Sequence, residues 1–137
     1  MDLQNLAYAL NQVVHNFGAA AVLGGAVLAR WPVRHEAAAR RKFAWLILAG
    51  WGVQIGSGMA FGAISYAYYS QFPDIHGIAI VALMIKVFCA GMGFVLAAEY
   101  LRCSAGWSKT RIELAWNGLI ALAATALAAA AFLRWFS

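Results

Sequence analysis

Three histidines, one deeply placed lysine and a few amides hold most of the chemistry this sequence could perform. His15 falls inside an apolar stretch, about six residues from its start, or roughly 9 Å of helical rise. A titratable side chain at that depth is costly in lipid and marks a functional site by default. It belongs to a stripe, Gln4, Tyr8, Asn11, His15, Gly18, Val22 and Gly25, repeating at three-four spacing. Such a stripe lies along one helix face, with Gln12 and Asn16 widening it. His15 is therefore either hydrogen-bonded to a neighbouring helix or a ligand to haem or metal. Asn11, one turn away, is placed to orient the second ring nitrogen. His76 opens the third apolar stretch beside Asp74, so it is either solvated or a second ligand. His35 lies in a basic loop and reads as solvated.

Lys86 sits about ten residues into the third stretch. A charge there needs a partner, and Gln54, at comparable depth in the second stretch, is the neighbour expected. The alternative partner is an acidic group of a cofactor, such as a haem propionate. Met59 and Met84 fall near the depth of His15. Thioether and imidazole together suit Cu(I), although methionine commonly fills gaps in a core. Small residues, Gly52-x-x-x-Gly56 and Gly58-x-x-x-Gly62 above all, permit close helix approach or room for a flat cofactor. Gly18, Gly25, Gly91 and Gly93 read the same way. Cys89 and Cys103 show no metal-binding spacing and no disulfide is expected.

The elements that carry these residues follow from composition. The 137 residues allow one domain; 64% are apolar and 11% charged. A soluble domain has about a quarter charged residues, so lipid must cover this chain. Four apolar runs, roughly 9–30, 43–67, 76–98 and 113–134, are each near the ~20 residues needed to span a bilayer. Inside lipid every backbone polar group needs an internal partner, and the runs lack period-two alternation, so they are helices. The expected fold is all-α, a four-helix transmembrane bundle forming a single membrane domain. Pro73 is placed as the first residue of the third helix. The first residues lack a basic segment, so no cleavable signal peptide is expected.

Arg30, Arg34, Arg40, Arg41 and Lys42 follow the first run, and Arg102, Lys109 and Arg111 follow the third. The connection between the second and third has no lysine or arginine. Positive charge marks the cytoplasmic side, so both termini face outward, periplasmic in a bacterial inner membrane. Tyr66, Tyr68, Tyr69 and Phe72 then mark the outer interface, and Trp31 and Trp45 the inner one. The net charge of +5 is a topology signal and no nucleic-acid surface.

Three segments resemble the copper resistance D family of membrane proteins. The first is Val14-His15-Asn16-Phe17-Gly18 through Gly24-Gly25, similar to the family's histidine-then-Gly-Gly first helix. The second is Gly56-Ser57-Gly58. The third is Leu83-Met84-Ile85-Lys86-Val87-Phe88 ending in Glu99-Tyr100-Leu101-Arg102, similar to a lysine-bearing helix that finishes in a basic residue. The resemblance implies copper handling in the periplasm, and related small membrane proteins bind haem b. This chain has fewer spans than the full-length family and no Met-rich or His-rich outer loop, which favours a redox or accessory role over copper transport.

No Walker loop, GxSxG, HExxH or carboxylate pair is present, so a stand-alone enzyme is not expected. Three functions remain. The first is a haem-b electron-transfer protein or subunit with His15 and His76 as paired ligands, exchanging electrons with periplasmic carriers. The second is a copper site built from His15, Met59 and Met84. The third is a cofactor-free accessory subunit of a respiratory or oxidase complex, meeting other subunits or its own copies through Gly-rich faces. Against the first, the two histidines differ in depth by roughly 8–9 Å on these boundaries.

Overall fold

A computed structural model of the chain describes residues 3–71 and 74–136. Four long helices account for nearly all of them: α1 (Leu3–Arg30), α2 (Ala37–Tyr69), α3 (Ile78–Cys103) and α4 (Lys109–Phe136), with a short 3-10 turn at Ser104–Gly106. No strand occurs among the described residues. All four helices are long and apolar enough to cross a membrane. Only 17–28% of the most apolar stretch in each helix is buried within the bundle. The remainder is apolar surface that water would not tolerate over such an area, so the protein is a multi-pass membrane protein.

The helices run past the expected spans. α2 starts at Ala37, so Arg40, Arg41 and Lys42 form its first turns and do not lie in a loop. Alanine and arginine are strong helix formers, and the Arg40 amide already donates to the Glu36 carbonyl (3.0 Å). α3 starts at Ile78, two residues after the position expected. Gly77 adopts a positive φ of 51°, a conformation that glycine tolerates and that interrupts the helix before it reaches His76. Pro73 and Phe72 lie outside the described residues, as do Met1, Asp2 and Ser137.

α1 packs on α2 and α4, and α3 packs on α2 and α4. The four helices therefore form a closed ring in which α1 and α3 are diagonal. The two basic connections meet at one end, where the Arg41 Nη1 donates to the Leu101 carbonyl (2.9 Å) and the Arg30 Nε to the Asn117 side-chain oxygen (2.7 Å). The well-packed core lies toward this end: Ile47, Trp51, Tyr100, Trp116 and Leu119 are buried. Tyr100 stands edge-on to Trp116, with ring centroids 4.9 Å apart.

Glycine sets the closest approaches, but not at the sites with the strongest spacing signal. A methyl group on Gly50 would come 2.7 Å from the Val22 side chain, and one on Gly93 would fall inside the Trp51 indole. Gly18 and Gly25 are likewise covered by α2. Gly56, Gly58 and Gly91 have open space before them. Gly56 and Gly58 of the α2 Gly-x-x-x-Gly ridge thus build no contact between helices of this chain, while Gly52 faces Phe94 of α3. Cys89 is buried, Cys103 is exposed, and both thiols are free.

Candidate functional site

The polar stripe of α1 faces α2 as its periodicity requires. Gln4 donates to the Tyr69 hydroxyl (2.6 Å), Tyr8 stacks on Phe61, and the Asn11 amide donates to the Ser57 carbonyl (2.9 Å). One turn further, His15 meets the Ser57 hydroxyl through Nδ1 (2.7 Å). The Gln54 amide reaches back to the His15 carbonyl (2.6 Å). Gln12 and Asn16 do not extend this face; they bond each other on the exposed side of α1 (2.7 Å).

The hydrogen bonds determine which nitrogen of His15 carries its proton. The Ser57 hydroxyl donates to the Val53 carbonyl one turn earlier, a common use of a serine within a helix. Its oxygen is then the acceptor for His15, so Nδ1 carries a hydrogen and, in the neutral imidazole, Nε2 keeps its lone pair. Phe61 packs edge-on against the ring at 5.8 Å between centroids. The imidazole is thus held on two sides and presents one donor atom. The orienting role expected of Asn11 belongs to Ser57, while Asn11 ties the α2 backbone. Ser57 was legible as a polar neighbour: Gln54, Ser57 and Phe61 follow three-four spacing on one face of α2.

Lys86 lies on α3, across the bundle from α1, and its ammonium bears electrostatically on His15. It is partly buried. The hydrogen bond expected with Gln54 is not formed; the Gln54 amide nitrogen turns instead to the His15 carbonyl on α1. Among the described residues, Lys86 has no hydrogen-bond or ion-pair partner. The resulting site combines an oriented imidazole with an unpartnered cation, within the half of the bundle opposite the basic connections. It could ligate a metal through Nε2 and hold an acidic group through the ammonium.

The other expected ligands are placed elsewhere. His76 precedes α3 and pairs with Asp74 at 3.2 Å, both side chains being highly exposed. From the start of α3 to Lys86 is eight residues, or roughly 12 Å of rise, so His76 stands at the end of the bundle, well away from Lys86. No hydrogen bond or ring contact joins the two histidines. Met59 and Met84 are 71% and 63% exposed, which turns both thioethers outward. Met59 stands two residues, about 200°, around α2 from Ser57. Among the described residues no group of three or more His, Cys, Asp or Glu side chains converges as a metal site. His35 accepts a hydrogen bond from Arg34 Nε (2.8 Å) on the exposed end.

As a donor set, His15 would hold a metal such as haem iron through Nε2, and Lys86 would hold an acidic group of a cofactor. His76, exposed and paired with Asp74, and the two outward-turned methionines do not join His15 in such a set. No family model, curated protein or solved structure matches the chain.

Proposed function

We propose that this protein is a haem-b electron-transfer protein or redox subunit of a bacterial inner membrane, with His15 as the iron ligand supplied from within the bundle. The observation that carries the reading is an imidazole oriented by Ser57 within the bundle, in a chain whose partly buried Lys86 on α3 has no counter-charge among the described residues. A bound haem b would supply a one-electron couple. The chain supplies the imidazole, its orientation by Ser57, and a cation for an acidic substituent. On the positive-inside assignment the site lies in the outer half of the membrane, within reach of periplasmic electron carriers. This reading dispenses with His76 as a ligand.

The test is the absorption spectrum of purified protein, oxidised and then dithionite-reduced, with metal analysis of the same sample. A pigmented, reducible preparation containing iron is expected. A colourless preparation containing copper would replace the haem reading with copper handling. A colourless, metal-free one would move the assignment to an accessory subunit of a larger membrane complex. That second reading has its own support. Gly56 faces open space on an apolar groove between α1 and α2, of about 410 Å³, that also includes Leu10, Val14, Val53 and Ala60. A further transmembrane helix could pack closely there.

A further inference from the structure

At the end opposite the His15 site, a cavity of about 600 Å³ opens between the end of α1, the start of α2 and the start of α4. Arg30, Arg34, Arg40 and Lys109 line it, against a single carboxylate, Glu113. Among the described residues Glu113 pairs with none of them. Arg40 Nε is buried without a hydrogen-bond partner, and so is the indole nitrogen of Trp116 in the cavity wall. Buried donors left unmatched are costly, and four cations converging in a partly enclosed space repel one another.

The helix geometry adds to the positive potential. α2 and α4 both begin here, and neither has an acidic residue in its first turn. Glu36, at the start of α2, makes no side-chain cap. The partial positive charge of two helix N-termini therefore adds to that of the side chains. Arg30 and Arg34 are fixed through Nε, to Asn117 and His35 respectively, which leaves their terminal nitrogens available. Guanidinium groups arranged in this way match the paired oxygens of a phosphate.

We propose that this cavity is a binding site for a phosphate group, contributed by the headgroup of an anionic phospholipid or by a free phosphate compound. Arg34, Arg40 and Lys109 neutralise its charge, and Trp116 and the Arg40 Nε supply donors. The site draws on both basic connections, so an anion bound there bridges the start of α2 to the start of α4. A basic pocket between helices at the membrane surface is well suited to a lipid headgroup.

Two arms test this and separate the sources. In the first, the full chain is reconstituted in phosphatidylcholine nanodiscs containing phosphatidylglycerol, released into neutral detergent, and weighed by native mass spectrometry. In the second, the delipidated chain is melted with and without inorganic phosphate. Each arm compares the native chain with Arg34→Gln, Arg40→Gln and Lys42→Gln. Arg34 is exposed in a connection and its side chain bonds only His35, so its replacement leaves the helix packing intact. Lys42 is exposed and outside the cavity, and serves as the control.

Retention of phosphatidylglycerol by the native chain and by Lys42→Gln, roughly tenfold weaker in Arg34→Gln and Arg40→Gln, establishes a lipid site. A phosphate-induced rise in melting temperature, lost in the same two variants, establishes a free-phosphate site. Binding in both arms that is equal in the native chain and in Arg34→Gln, or absent from both, overturns the proposal.

Discussion

His15 takes its character from residues that are not themselves titratable. Ser57 fixes its ring and its tautomer, Gln54 holds the backbone beneath it, and Phe61 closes one side. Lys86 is the residue for which the bundle offers no counter-charge. A methionine of similar length would remove a desolvated cation without opening a cavity. Lys86→Met is therefore expected to insert and melt like the native chain, or slightly higher, since apolar replacement in lipid is tolerated. If Lys86 holds an acidic group of haem, the same variant loses cofactor or shifts its midpoint potential. The check is a melting curve together with the haem-to-protein ratio. Unchanged haem content and unchanged potential would remove Lys86 from the site.

At the scale of helices, the apolar runs and their breaks were legible because lipid leaves the backbone few alternatives to a helix. The α1 stripe was legible for the same reason as any amphipathic face: Gln4, Tyr8, Asn11, His15, Gly18, Val22 and Gly25 recur at helical spacing, and they meet α2. The helix ends were less legible. Ala37 to Lys42 reads as a charged connection, yet its residues favour helix, and α2 absorbs them. His76 could be placed in a helix only without knowing that Gly77 would take a positive φ. The glycine signal identified close packing but not its location, because a Gly-x-x-x-Gly spacing does not state which face is turned inward. Gly93→Ala is expected to destabilise the bundle by about 1–3 kcal/mol, since the added methyl overlaps the Trp51 ring in a packed core. Gly56→Ala, facing open space, is expected to leave the monomer's stability unchanged or to raise it. Thermal melting of both in one detergent checks the contrast; equal loss in the two would show that Gly93 is not a close contact.

The whole molecule is polarised along the membrane normal. One end carries the two basic connections and the aromatic core, with Trp31 and Trp45 exposed around it. The other carries Tyr66, Tyr68 and Tyr69 on its surface, and the His15 site lies in that half. Eight basic residues flank the first and third connections and none the second, so the basic end is expected in the cytoplasm. Reporter fusions after Phe136 and within 31–35 should give opposite readings, outside for the first and inside for the second. A cytoplasmic reading for the fusion after Phe136 would invert the assignment.

The most direct test of the His15 site is the dithionite-reduced minus oxidised spectrum of three purified chains, native, His15→Ala and His76→Ala, each shown by circular dichroism to keep its helix content. A haem-b difference spectrum is expected in the native chain, abolished in His15→Ala and retained in His76→Ala, whose imidazole is paired with Asp74 at the surface. Full retention of the spectrum in His15→Ala, or its loss in His76→Ala alone, would contradict the assignment of His15 as ligand.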